Sequence, residues 1–153
     1  MQAATCSERP TQVSYPLPDP NSDELYTLVM LDVDTPAPYL HWMVDNIPGS
    51  KVAKGTTVAD YASPHPPQQL SSKPHRYLVV VMTQKDGRRK GNVNEDWAGV
   101  TPCQETGRAN FDLDQFKEKY NLGEVIAANY FQVGFDPDYA PSCQKDRLSS
   151  VLA

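Results

Sequence analysis

The run Tyr77-Leu78-Val79-Val80-Val81-Met82-Thr83 constrains this chain more than any other feature. It is apolar, aromatic or β-branched throughout, with no Gly or Pro. Side chains alternate across a strand, so an uninterrupted apolar run asks for cover on both faces. The rest of the chain therefore has to be built around this strand. Leu25 to Leu31 (LYTLVML) reads as a second strand, and Leu40 to Ile47 (LHWMVDNI) as a third, closed by Pro48-Gly49-Ser50. Thr56 to Tyr61 is weakly apolar and reads as a short strand. Asn129 to Phe135 alternates, with Phe131, Val133 and Phe135 on one face.

Between these runs the punctuation is strong. Residues 1–24 form a Pro-, Ser- and Asp-rich lead-in, read as extended. The segment 63–74 carries Pro64, Pro66, Pro67 and Pro74, which excludes a central strand. Residues 84–110 are polar and Gly-rich, with Trp97 and Val100 as anchors. Asp112 is placed to cap a helix, with Gln115 three residues on. Leu113, Phe116 and Tyr120 then recur at helical spacing, and Gly123 sits where the helix would end. The tail, 142–153, is polar and then weakly apolar, consistent with a short second helix. Strands predominate, with one or two helices late in the chain. The expected fold is a mostly-β antiparallel sandwich formed by one domain over residues 1–153.

Composition narrows the function. The formal net charge is −5, and the basic residues are scattered apart from Lys85 to Lys90, which argues against a nucleic-acid partner. No apolar run approaches the roughly 20 residues of a spanning helix, so any membrane contact is peripheral. The N-terminus, Met1-Gln2-Ala3-Ala4-Thr5-Cys6, is not an intact signal peptide. Met1 is either a natural start or a start replacing a removed leader. The three cysteines, Cys6, Cys103 and Cys143, lie in polar or Pro-flanked segments. That placement leans towards one disulfide and export over three cytosolic thiols.

The chemistry-bearing residues gather at strand ends. Asp32 and Asp34 close the first strand and point the same way if the strand continues that far. His41 stands near the start of the next strand and His75 at the start of the longest run. Two carboxylates and two imidazoles there would line a small polar cavity. Each residue also has a plainer role. Asp34 before Thr35-Pro36 suits a turn. His41 beside Trp42 suits a core position. Arg76 suits an ion pair, and Tyr77, Trp42 and Tyr61 suit packing.

These segments resemble the phosphatidylethanolamine-binding protein family, also called Raf kinase inhibitor proteins. Its first signature has the form Asp-Pro-Asp-x-Pro followed by a His on the next strand, here Asp32-Val33-Asp34-Thr35-Pro36 and His41. Its second is of the Gly-x-His-Arg-Tyr type, here Lys73-Pro74-His75-Arg76-Tyr77. Asn46-Ile47-Pro48-Gly49, Tyr61 and Pro66-Pro67 fall in the family's order between them. The likeness runs from about Leu25 to Pro141. Val33 replaces a Pro, Lys73-Pro74 replaces a Gly, Ser63-Pro64-His65 stands for Gly-x-Gly, and Gln144 stands for a Tyr.

The resemblance implies a large antiparallel sheet packed on a smaller one, with an anion pocket at one edge. It implies ligand contacts from Asp32, Asp34, His41, His75, Tyr77, Pro66 and Pro67, with no catalytic residue and no cofactor. Imidazole N–H groups donate to phosphate oxygens, and the carboxylates face an ammonium or orient the histidines. The carboxylates should also raise the histidine pKa values, so anion binding should tighten below roughly pH 6.5. The expected function is non-catalytic binding of a phospholipid headgroup or small anion by a monomer that regulates a kinase or protease. One alternative is a hydrolase using a metal held by the Asp/His cluster. Another is a secreted inhibitor or antigen-like module with a vestigial pocket.

Overall fold

The computed structural model describes residues 10, 12–66, 73–89 and 107–138. Pro67, Trp97, Val100, Gln144, the three cysteines and the tail lie outside them, as do the expectations placed there. The described strands are β1 (Leu25–Asp32), β2 (Tyr39–Pro48), β3 (Thr56–Ala59), β4 (His75–Gln84) and β5 (Leu122–Val133). They form one five-stranded sheet in the order β3-β2-β1-β4-β5, with every neighbouring pair antiparallel. One α-helix, α1 (Leu113–Lys119), precedes β5. The architecture is mostly β, as the strand runs predict. The described residues contribute strands to this sheet alone.

Burial follows the apolar runs. β1 lies between β2 and β4 and is buried from Tyr26 to Asp32. Alternation then sorts its side chains into two cores. Val29 and Leu31 join Leu40, Met43, Val80 and Met82 under Phe111 and Phe116. Leu28 and Met30 join Trp42, Val44, Tyr61, Tyr77 and Val81 on the other face. Tyr15 from the lead-in packs on this second face, and its hydroxyl donates to Gly49 O at 2.7 Å. The extended lead-in is therefore part of the core cover.

The register between β1 and β2 shifts once near the site. Met30 faces Trp42 and Leu31 faces Leu40, so His41 is the extra residue of a bulge. At the opposite end of the sheet, Asn46 takes a φ of 52°. Its side chain and that of Gln84 bond each other, and Gln84 Oε1 accepts from Thr27 Oγ1 and Asn46 N.

Three boundaries differ from expectation. Asp112 caps α1 through Gln115 N at 2.9 Å, as predicted. The helix, however, ends at Lys119, and Asn121 supplies the left-handed residue with a φ of 49°. Gly123 lies inside β5, where a Cβ would collide with the Thr83 side chain. That close approach explains the glycine. β5 starts seven residues earlier than the alternation at Asn129 suggests, because register shifts opposite Met82 break the period. Phe135 falls beyond its end and is 43% exposed. β3 stops at Ala59, short of Tyr61.

Gly55 gives a test of the packing. A Cβ there would sit 2.6 Å from Val44 Cγ1 and 2.7 Å from the Asp45 carbonyl oxygen. A backbone oxygen cannot rotate away, so Gly55→Ala should cost about 1–3 kcal/mol. Chemical denaturation would show it as a lower midpoint at unchanged slope. An unchanged midpoint would contradict the tight β2–β3 corner.

Candidate functional site

The site is built where β1, β2 and β4 converge. Asp32 pairs with Tyr77 on β4 and with Tyr39 on β2. His75, two residues before Tyr77, projects from the same face. His75 Nδ1 donates to Asp32 Oδ2 at 2.7 Å, and both side chains are almost wholly buried. The other Asp32 oxygen accepts from Asp34 N at 2.9 Å. One carboxylate therefore closes the turn after β1 and orients an imidazole.

Asp34 does not share that orientation. β1 ends at Asp32, so the period-two argument stops before Asp34. Its carboxylate instead takes Arg76 Nη2 at 2.8 Å, Nε at 3.0 Å and the Arg76 backbone N at 2.6 Å. The Arg76 side chain hydrogen bonds, and then its backbone N–H, hold the Asp34 carboxyl down at about 2. Arg76 lies on the opposite face of β4 from His75 and Tyr77, where it is half exposed. Asp34 thus anchors the rim, and Asp32 holds the buried position against His75.

His41 is buried, with its ring 5.2 Å from Tyr39 and 5.1 Å from Tyr77 by centroid, the latter edge-on. Its Nδ1 lies 2.8 Å from Ala62 O. A carbonyl only accepts, so Nδ1 carries the hydrogen. Burial pushes the His41 pKa down to about 4, outweighing the Ala62 hydrogen bond and the Asp32 charge. The expectation that the carboxylates keep this imidazole protonated near pH 6.5 is therefore corrected for His41. Desolvation wins because only one carboxylate faces the ring, across a buried corner. Tyr77 also stacks on Phe131 at 5.6 Å. Burial, then the Asp32 charge and the lean of the hydroxyl towards the Asp32 carboxylate, short of a well-formed hydrogen bond, push its phenol well above the ordinary value.

Two polar atoms of this corner, His75 Nε2 and Tyr77 OH, are buried and have no hydrogen-bond partner among the described residues. Buried polar atoms in folded proteins are nearly always satisfied. A pair of orphans around one carboxylate is a place to receive a ligand with oxygen or nitrogen atoms. Pro66 is buried and ends the described part of the loop after β3. Trp42 and Tyr61 pack edge-on at 5.6 Å, in the packing role expected of them. Lys73 and Pro74, which depart from the family motif, are exposed beside buried His75. A separate groove of about 360 Å³ runs between residues 12–16 and the β4–β5 face. It shares Phe131 with the site through the Tyr77 stack. Among the described residues, no three His, Cys, Asp or Glu side chains gather as a metal-holding group.

Sequence reasoning missed Arg108. It is fully buried, and its Nη1 donates to Leu40 O and His41 O at 3.0 Å each. Its Nη2 donates to Asp60 O at 2.7 Å. An arginine in a polar Gly-rich stretch carries no burial signal of its own.

Two measurements test this geometry. Asp32→Ala strands a buried imidazole and should cost about 3–5 kcal/mol, whereas Asp34→Ala, at the half-exposed rim, should cost far less; equal losses in thermal or denaturant unfolding would contradict the assignment. His41 should titrate near pH 4 by NMR, against an ordinary value of 6.5. Between those values the unfolded chain binds the extra proton, so this residue's contribution to stability falls as the pH drops from 6.5 to 4.

Comparisons with known proteins bear on the family and the fold. A putative odorant-binding protein A5 of Drosophila melanogaster is 33% identical over 146 residues, covering 89% of this chain. The chain spans 66% of that relative's length. Among solved structures, the solution structure of CG7054 is similar at 36% identity, with a TM-score of 0.60 over 82% of this chain and 70% of its own. A carboxypeptidase Y inhibitor solved with its cognate proteinase is similar in fold, at 21% identity and a TM-score of 0.55 over 80% of this chain and 64% of its own. The family model described as phosphatidylethanolamine-binding protein matches residues 5–132. With β1, β2 and β4 bringing Asp32, His41 and His75 to one corner, the chain belongs to the phosphatidylethanolamine-binding protein family.

Proposed function

We propose that this protein is a non-catalytic binding protein that seats a phosphate-bearing headgroup, or a similar small anion, against Asp32, His41, His75 and Tyr77. The observation that carries this reading is the pair of buried, unpartnered atoms, His75 Nε2 and Tyr77 OH, beside the Asp32 carboxylate. A phosphate oxygen accepts from the tyrosine hydroxyl and from a protonated imidazole nitrogen. An ammonium group on the same ligand has Asp32 as its counter-charge. The corner suits a headgroup, so acyl chains would stay in the membrane or lie along the surface. Asp34 takes part through the rim, by holding Arg76. Pro66 and Pro67 are assigned to the mouth on the resemblance alone.

Loading of this corner would then modulate a protein partner. A protease is favoured over a kinase by one fact: a structure of similar fold is an inhibitor in complex with its proteinase. A second reading rests on the groove beside Tyr15 and Phe131, whose lining is largely apolar. It would suit a small apolar molecule, as the name of the Drosophila relative suggests. The metal-assisted hydrolase has no such support among the described residues.

Tyr77→Phe separates these readings. It removes only the unpartnered hydroxyl and keeps the ring contacts to His41 and Phe131. The ligand-free variant should unfold at the same or a higher temperature, because an unsatisfied buried hydroxyl costs about 1–3 kcal/mol. Calorimetric affinity for phosphoethanolamine, and for inorganic phosphate, should fall about tenfold with loss of one charge-assisted hydrogen bond. His41→Ala, which opens the wall, should weaken both further. Equal binding by wild type and both variants at pH 6 and 7.5 would sink the anion reading. Displacement of an apolar fluorophore without any phosphoethanolamine binding would favour the groove.

A further inference from the structure

The bulge at His41 leaves β2 with carbonyl groups to satisfy. β3 pairs with β2 only from Met43 onward, so among the described residues no strand pairs with Leu40 and His41 on that side. Arg108 takes the place of that strand. Its guanidinium holds Leu40 O and His41 O with one nitrogen and Asp60 O with the other. Its own carbonyl accepts from Leu40 N at 2.8 Å. Asp60 leads directly into the loop whose Ala62 N donates to His41 O at 2.8 Å. Ala62 O in turn takes the His41 ring hydrogen at 2.8 Å. A single fully buried side chain thus ties the strand that carries His41 to the loop that orients its ring.

We propose that Arg108 is the positioning residue of the anion site: its fork sets the tautomer and orientation of His41 by holding β2 and the 60–62 loop in one arrangement. A planar fork can span carbonyls on two segments at once, and an ammonium on a flexible stem cannot do so with the same geometry. With Nδ1 held by Ala62 O, the neutral His41 ring leaves Nε2 as an acceptor, which takes a hydrogen from the headgroup's ammonium or from a protonated phosphate oxygen. The groups that bear on the ring charge are Asp32 from β1, Tyr77 from β4, Tyr39 from the same strand, His65 from the loop and Arg108 itself. Asp32 favours the protonated ring, while Arg108 and His65 oppose it.

The inference rests on the anion-binding reading, and the test separates the two. Arg108→Lys keeps the charge and removes the fork. In the ligand-free wild type, nitrogen NMR should show His41 as the Nδ1–H tautomer with a midpoint near pH 4. In Arg108→Lys the tautomers should mix, and the midpoint should rise by about one pH unit as water reaches the ring. Phosphoethanolamine affinity should fall about tenfold, with amide shifts of Thr27, Asn46 and Gln84 preserved at the far end of the sheet. An unchanged tautomer and midpoint in the folded variant would overturn the proposal. If the variant does not fold, the wild type decides. The Arg108 guanidinium hydrogens should exchange slowly and show couplings across hydrogen bonds to the carbonyl carbons of Leu40, His41 and Asp60. These couplings should move with the His41 titration. Fast exchange and no couplings would overturn it. Failure of wild type to bind phosphoethanolamine, with these signals intact, would strike the anion reading alone.

Discussion

A buried contact of 2.7 Å between Asp32 and His75 organises this end of the molecule. It joins β1 and β4 where their pairing ends, and it decides which imidazole nitrogen is left for a ligand. Removing a carboxylate from water is costly, and a single imidazole does not satisfy both its oxygens. The turn after β1 supplies the second partner through Asp34 N. Turn, strand end and imidazole are therefore held by one side chain. Asp34 is released from the interior and serves the rim through Arg76.

Both ends of the sheet bury polar groups. At the far end, Thr27, Asn46 and Gln84 bond one another, and Arg89 N and O close the set on Asn46. That network is rich in partners, while Asp45 Oδ1 and Arg89 Nε beside it are buried without one among the described residues. At the near end, His75 Nε2 and Tyr77 OH remain without partners among the described residues. What sets the near corner apart is that its two orphans flank one buried carboxylate, and that arrangement is the basis for reading it as a binding corner.

Burial also sets opposing pH responses. His41 is pushed down to about 4, so it favours folding less as the pH drops from 6.5. Asp45, buried on β2 next to the far-end network, is pushed up from 3.8 to about 6, chiefly by desolvation against the Arg89 and Arg88 charges. The folded chain holds that proton more tightly, so the Asp45 contribution falls as the pH rises from about 4 to 6. The two trends act against each other in the same window. A flat stability curve between pH 4 and 6 would therefore conceal two titrations.

The sequence by itself determined the strands, because apolar and β-branched runs such as YLVVVMT have few other places to go. It determined the α1 cap at Asp112 and, through ordered motifs around Asp32, His41 and His75, the family. Those are local or near-local signals, written in consecutive residues. Three matters were decided only in the tertiary structure. Asp34 went to the rim because β1 ends at Asp32, two residues before it. His41 lost its proton because burial, which no spacing encodes, outweighed its charged neighbour. Arg108, far along the chain in a polar stretch, came to lie beside His41 because the carbonyl groups of Leu40 and His41 at the bulge accept from its guanidinium. Pairing across the sheet and desolvation depend on what the fold brings from elsewhere, and they decided the chemistry of the corner.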